Sequence, residues 1–119
     1  VTEPGGRCDA PVNLLDIYPT VVDLCGVPRR DELEGRSLTP LLTDPGAEWV
    51  RPTVTTYGRN NHSVRSRRWR YTRYSDGSEE LYDHHADPME WDNLAALPAH
   101  ANAKADHAQW LPTVNAEEF

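Results

Sequence analysis

The residues best suited to bind a ligand lie near the middle of the chain, at Arg59, His62 and Arg65. A guanidinium presents a fork of N–H donors that matches a sulfate, phosphate or carboxylate, and an imidazole can add one more donor. The surrounding segment 58–61 is polar and poor in side chains suited to core packing. Two interpretations of the residues stay open: the segment is a solvated turn, or these three residues position an anionic group.

No pattern for catalysis or metal binding accompanies these residues. The sequence contains no G-x-S-x-G nucleophile elbow, no G-x-G-x-x-G motif and no P-loop. His84 and His85 are adjacent, so they would point to opposite faces of a strand end. His100 and His107 would lie about 10 Å apart along a helix, too far to share one ion. We predict no catalytic residue and no metal site in this chain.

The composition is that of a small acidic protein. The chain has 119 residues, 38% of them hydrophobic, and a net charge of −7, which suits one domain or two small lobes. No apolar run approaches the ~20 residues of a membrane helix, so we expect no membrane partner. The negative charge makes nucleic acid an unfavoured partner. Neither cysteine has a partner at zinc-ligand spacing; Cys25 is expected to be buried and Cys8 to lie in a loop.

Charge is segregated along the sequence. Residues 51–74 contain seven arginines and no acid, whereas residues 75–93 contain seven acids and no lysine or arginine. Such blocks suit either two interaction tails or two strands that neutralise each other. Asp76-Gly77 lies between them and is typical of a two-residue β-hairpin turn, which favours the paired strands.

A two-residue turn at Asp76-Gly77 also predicts the register of this hairpin over residues 68–83. Two of the resulting pairs join an arginine to a carboxylate, and each cross-strand pair is worth about 0.2–1 kcal/mol. The predicted partners are Tyr74 and Glu79, Arg73 and Glu80, Thr72 and Leu81, Tyr71 and Tyr82, and Arg70 and Asp83.

Apolar periodicity predicts a helix over residues 14–25 that ends at Gly26. Its apolar residues recur at helical spacing and are expected to form one buried stripe. The stripe consists of Leu14, Ile17, Tyr18, Val21, Leu24 and Cys25.

The second half of the chain reads as a small sheet followed by a helix. Strands are predicted at Thr53–Tyr57 and His62–Ser66 before the hairpin, and a helix at 98–111 after it. Trp91 and Leu94 are expected to pack in the core between them. The predicted fold class is α+β, with an antiparallel sheet of three to four strands and a C-terminal helix.

Three stretches in order resemble the C-terminal part of a type I sulfatase, of the bacterial group similar to choline sulfatase and iduronate-2-sulfatase. The first is PVNLLDIYPT at 11–20 with LCG at 24–26. The second is LEGRSLTPLL at 33–42. The third runs from VRS at 64–66 through WRY at 69–71 and ELYD at 80–83 to Asp87-Pro88, Glu90 and Asn93-Leu94.

The resemblance implies a division of the chain and of its chemistry. Residues 1–45 would be the end of a large α/β sulfatase domain and a linker, and residues 46–119 the C-terminal subdomain. Sulfatases hydrolyse sulfate esters with a formylglycine, made from the Cys or Ser of a Cys/Ser-x-Pro-Ser-Arg motif, beside a calcium ion. The resemblance implies that both belong to the large domain, upstream of this sequence. The segments 25–29 and 8–12 each begin with a cysteine but depart from the motif. This chain would then carry no catalytic residue and no cofactor.

In such an enzyme, Arg59, His62 and Arg65 would hold the part of the substrate away from the sulfate. The large domain would be the partner, and a chain without it would expose its helix, self-associate or fold the helix onto its own sheet. Members of the family are often exported, which is compatible with a periplasmic or secreted location. The alternative is a stand-alone module that binds an anionic glycan or nucleic acid through the basic strands between Arg59 and Arg73.

Overall fold

The computed structural model describes residues 5–115 and divides the chain into two compact units, 1–50 and 51–119. Among the described residues, no helix is long and apolar enough to cross a membrane. The division falls just before the first strand, which begins at Thr53.

The first unit is built on a short helix. A 3₁₀ turn at Leu14–Asp16 leads into α1, Ile17–Leu24, and a second helix, α2, spans Thr39–Thr43. The helix predicted over 14–25 is confirmed in position, and Gly26 follows it with φ +65°.

The buried residues of α1 are Pro19 and Thr20, neither of which belongs to the predicted apolar stripe. The prediction that the stripe is buried is therefore wrong within this chain, whereas an exposed helix is one of the outcomes expected of a chain without the large domain. Asp16 and Thr20 are 1% and 7% exposed. Asp16 accepts hydrogen bonds from the backbone N–H groups of Asn13 (2.9 Å) and Arg36 (2.8 Å). The Thr20 hydroxyl donates to the Asp16 carbonyl and accepts from the N–H of Leu38 (2.8 Å). The linker therefore packs on the side of the helix that carries Asp16, Pro19 and Thr20.

The apolar face of α1 consequently remains on the surface. Cys25, expected to be buried, is an exposed free thiol, as is Cys8. The other members of the stripe are exposed by half or more: Leu14, Ile17, Tyr18, Val21 and Leu24.

The second unit is a four-stranded antiparallel sheet in the order β1-β2-β3-β4. The strands are Thr53–Thr56, His62–Arg65, Trp69–Arg73 and Glu79–Asp83. A 3₁₀ turn at Pro98–His100 and helix α3, Ala101–Ala108, follow. The α+β class, the sheet and the C-terminal helix are thus confirmed, although α3 ends before residue 111.

The hairpin forms where predicted, but its register is wrong by one residue. Tyr71 pairs with Leu81 and Arg73 with Glu79, while Trp69 rather than Arg70 faces Asp83. The turn contains three residues, because the N–H of Tyr74 donates to the carbonyl of Ser78 (2.9 Å). Gly77 adopts φ +85°, a conformation that glycine accepts at low cost.

The core lies between one sheet face and the C-terminal helix. Val64, Tyr71, Leu81 and Leu111 form its buried centre, and Leu94 packs against them as expected. Trp91 was expected to pack as well, but it is 79% exposed. The loop that carries it joins the core through the Leu94 N–H, which donates to the Leu81 carbonyl (2.8 Å).

Candidate functional site

Arg59 lies in the turn between β1 and β2, where its side chain is exposed. The N–H of Tyr57 donates to the carbonyl of Asn61 (3.0 Å) and closes this turn. Asn60 has φ +62° and exchanges two hydrogen bonds with Asn115, at 3.1 and 2.8 Å. The end of the described chain therefore holds the turn in place.

His62 points toward the core, on the same strand face as Val64. It is 3% exposed, and its Nδ1 lies 2.9 Å from the Thr56 hydroxyl on β1. Its Nε2 is buried without a hydrogen-bond partner. His62 is thus a buried link between two strands.

Arg65 lies three residues further along β2 and therefore on the opposite face of the sheet. It is half-buried and pairs across the strands with Arg70. Burial lowers the pKa of Arg65, the Glu90 carboxylate opposes that shift, and the charge of Arg70 adds to it. The structure thus separates Arg65 from His62 and sets it beside a second arginine.

A cluster that the sequence analysis missed surrounds this second arginine. Arg70 and His84 both contact the Glu90 carboxylate, one at each oxygen. The Arg70 guanidinium also lies 5.4 Å from the centre of the Tyr82 ring. Glu90 has φ +59°, an uncommon conformation for a residue with a side chain.

Another ion pair, between Arg68 and Asp83, lies at the same open end of the hairpin. Arg68 binds Asp83 through two parallel hydrogen bonds, Nε to Oδ1 at 2.9 Å and Nη2 to Oδ2 at 2.5 Å. The His85 N–H adds a third bond to Oδ1 (3.1 Å). These donors, Arg68 first, lower the pKa of Asp83 to about 2.

Two further polar links attach α3 to the sheet. Lys104 and the Tyr71 hydroxyl both donate to Glu79, at 2.8 and 2.5 Å, and together they lower the pKa of that carboxyl. His107, 8% exposed, lies between the Ala103 carbonyl (2.7 Å, Nδ1) and the Ser66 hydroxyl (2.9 Å, Nε2). The buried contact between His107 and Ser66 therefore joins α3 to the β2–β3 turn and stabilises the packing of the helix on the sheet.

The sheet face opposite α3 carries a groove of about 380 Å³. Hydroxyl-bearing residues of three strands form its floor, and two tyrosines and an asparagine form one end. The lining residues are Thr55, Tyr57, Asn61, Ser63, Thr72 and Tyr74. Among residues 5–115, no group of three or more His, Cys, Asp or Glu side chains is arranged to hold a metal ion.

The amino-acid sequence matches a known family. Residues 1–117 match the family described as N-sulphoglucosamine sulphohydrolase, C-terminal. A protein named sulfatase from Formosa agariphila is 42% identical over 91 residues, which cover 76% of this chain and 18% of that protein. A delta 4,5-hexuronate-2-O-sulfatase from Bacteroides thetaiotaomicron is 35% identical over 106 residues, which cover 82% of this chain and 22% of that protein.

The solved structures agree in fold. A structure described as a 2-O GAG sulfatase superposes with a TM-score of 0.70 at 30% identity, covering 87% of this chain and 25% of that one. This chain spans about a fifth of the length of the curated relatives it matches. Sequence and fold together place the chain in the N-sulphoglucosamine sulphohydrolase C-terminal family, as the C-terminal portion of a sulfatase.

Proposed function

We propose that the complete protein hydrolyses sulfate esters of sulfated glycans and that this chain is its C-terminal subdomain. The observation that carries the proposal is the family match over residues 1–117, in relatives about five times longer. Their names add the substrate class, since they describe sulfatases of a hexuronate and of a GAG. The stand-alone binding module receives no support from these comparisons.

The catalytic formylglycine and the calcium ion would belong to the region outside this chain. The described residues offer no suitable cluster of metal ligands, and the sequence offers no Cys/Ser-x-Pro-Ser-Arg motif. This subdomain would therefore act by completing the fold and by shaping the rim of the substrate pocket.

The large domain would pack against the apolar face of α1. Leu14 is 87% exposed, and Tyr18 and Val21 are 54% and 52% exposed on one helix face. A contiguous apolar patch of this kind marks an interaction surface. Hydrogen exchange should therefore be slower in the peptide 14–24 of the complete protein than in the 119-residue chain, and an apolar dye should bind the chain alone.

The three residues singled out in the sequence would help to position the substrate. Arg59 and Arg65 have donors near the surface, so they would contact anionic or hydroxyl groups away from the reacting sulfate. His62 is buried, so it would act indirectly by holding Thr56 and the end of β1. Replacing Arg65 by Ala should raise KM for a glycan substrate with little change in kcat.

The activity itself is tested with an aryl sulfate ester. The complete protein should release the phenol, whereas the 119-residue chain should not. Turnover by the chain alone would overturn the assignment of catalysis to the large domain. The proposed activity would be overturned if neither the complete protein nor the 119-residue chain hydrolysed the ester under conditions in which the upstream cysteine or serine is converted to formylglycine.

A further inference from the structure

The peptide group that joins Arg59 to Asn60 is held at both ends by amide side chains. Its carbonyl oxygen accepts a hydrogen bond from Asn61 Nδ2 (3.1 Å), and its N–H donates to Asn115 Oδ1 (3.1 Å). Asn115 Nδ2 also donates to Asn60 Oδ1 (2.8 Å). Asn61 is itself attached to the β3–β4 turn, because its Oδ1 accepts from the N–H of Ser75 (3.1 Å). The orientation of this planar peptide group fixes the backbone torsion ψ of Arg59.

The residues on either side of Arg59 have an uncommon backbone conformation. Gly58 has φ +61° and Asn60 has φ +62°, in the left-handed region that residues with a side chain rarely adopt. Asparagine is one of the few that do. The two hydrogen bonds that Asn60 exchanges with Asn115 form in this conformation and therefore favour it over the extended alternatives. Arg59 is thus carried by a turn whose backbone is defined on both sides.

The side chain of Arg59, in contrast, is available for a ligand. It is exposed, and no carboxylate among residues 5–115 forms an ion pair with it. Arginine is among the side chains that lose most conformational freedom when they are fixed by a contact. A backbone that is ordered before binding reduces the total ordering that binding requires. The structure therefore combines a fixed turn with an unpaired guanidinium.

We propose that Asn115 is a positioning residue, which holds the β1–β2 turn so that Arg59 contacts the part of the substrate away from the reacting sulfate. The proposal rests on the proposed function and adds a residue to it. Because Arg59 would lie away from the reacting atoms, it would bind ground state and transition state equally. Loss of the hydrogen bonds from Asn115 should then raise KM and leave kcat nearly unchanged.

The first test compares two sulfate esters of different size in the complete protein. Nitrophenyl sulfate has no sugar to extend toward Arg59, whereas an O-sulfated uronic acid–glucosamine disaccharide extends away from its sulfate. Asn115→Ala should raise KM for the disaccharide about threefold to tenfold and leave kcat within about twofold. Both constants for nitrophenyl sulfate should be unchanged. An equal effect on the two esters would show a general structural role and overturn the proposal.

The matched control is Asn102→Ala, which removes an exposed amide side chain from α3. It should leave KM and kcat unchanged for both esters. A rise in KM for the disaccharide as large as that of Asn115→Ala would refute a specific role of Asn115. Circular dichroism melting confirms that each variant is folded.

A double-mutant cycle shows whether Asn115 acts through Arg59. Arg59→Ala should raise KM for the disaccharide about tenfold or more, because a hydrogen bond from a charged donor is lost. Adding Asn115→Ala to that variant should cause no further increase, since the guanidinium that Asn115 positions is then absent. Increases in KM that multiply in the double variant would refute the positioning role.

Hydrogen exchange tests the contact between Asn60 and Asn115 without reference to activity. The Asn60 N–H should exchange about tenfold faster in Asn115→Ala than in wild type or Asn102→Ala, because its acceptor is lost. Mass spectrometry of a peptide that spans residues 57–63 of the complete protein measures this rate. An unchanged rate would show that Asn115 does not hold the turn and would overturn the proposal.

The positioning role and the proposed activity fail separately. If the complete protein hydrolyses both esters but the cycle multiplies or the exchange rate is unchanged, the positioning role is refuted and the activity stands. If it hydrolyses neither ester, the proposed activity is refuted, and faster exchange in Asn115→Ala then shows a structural contact that serves no substrate.

Discussion

The ion pair between Arg68 and Asp83 should be the strongest single electrostatic contribution to the sheet unit. Asp83 is 4% exposed, and the Arg68 fork together with the His85 N–H lowers its pKa from 3.8 to about 2. That difference corresponds to about 2 kcal/mol in favour of the folded state at neutral pH. The Arg68 side chain is 50% exposed, so solvent screening reduces the expected contribution to between about 1 and 2 kcal/mol.

Two substitutions test this value at pH 7. Arg68→Ala removes the fork and leaves a buried carboxylate, whereas Asp83→Asn removes the charge and keeps the shape. Each should lower the free energy of unfolding by about 1–2 kcal/mol, and the double variant should lose less than the sum. Arg67→Ala, one residue away in the exposed turn, is the matched control and should be neutral. Urea denaturation followed by tryptophan fluorescence measures the four variants and the wild type.

The pH dependence has a defined sign. The folded pKa of Asp83 is depressed, so its contribution is complete above about pH 4, the unfolded pKa, and is lost as the pH falls toward 2. The difference in stability between wild type and Asp83→Asn should therefore shrink over that interval. A difference that is independent of pH, or an Arg68→Ala variant as stable as the Arg67→Ala control, would refute the reasoning.

Four further substitutions address the backbone and a weaker ion pair. A Cβ at Gly35 would lie 2.0 Å from the backbone carbonyl oxygen of Leu15, so Gly35→Ala should destabilise the first unit by about 2–3 kcal/mol. Gly46→Ala is the control, because its Cβ would meet only a side-chain oxygen at 3.3 Å. The control should have nearly the melting temperature of the wild type. Gly77→Ala places a side chain at φ +85° and should cost about 1 kcal/mol in urea denaturation; an unchanged midpoint would contradict the turn conformation. Lys104→Ala removes an ion pair with Glu79 in which both side chains are about 30% exposed, so it should cost at most about 1 kcal/mol; a larger loss would show that α3 depends on this contact.

Local sequence signals located the elements of the sheet unit but not the register of its hairpin. Asp76-Gly77 is compatible with a two-residue turn and with a three-residue turn that has Gly77 in the left-handed conformation. The longer turn is stabilised by the Asp76 carboxylate, which accepts hydrogen bonds from the backbone and hydroxyl of Ser78 at 2.8 and 2.6 Å. The shift of one residue places the β4 side chains on the opposite sheet face from the one predicted. Asp83 therefore lies on the other face from Arg70 and binds Arg68 instead.

The periodicity of the sequence does not predict contacts between segments that are far apart in the chain. Helix α1 could be located from its apolar stripe, but the stripe cannot show whether the covering surface lies within this chain. Glu90 follows a turn, and no spacing rule connects it to Arg70, twenty residues earlier. Strand alternation could have shown that His62 and Arg65 lie on opposite faces, since they are three residues apart on a predicted strand.

The most direct test of the central claim is peptide mapping by mass spectrometry of the complete protein that carries this chain. The account predicts a Cys/Ser-x-Pro-Ser-Arg motif upstream of Val1, with its first residue converted to formylglycine. A complete protein that hydrolyses sulfate esters without such a residue, or that lacks the motif altogether, would contradict the account.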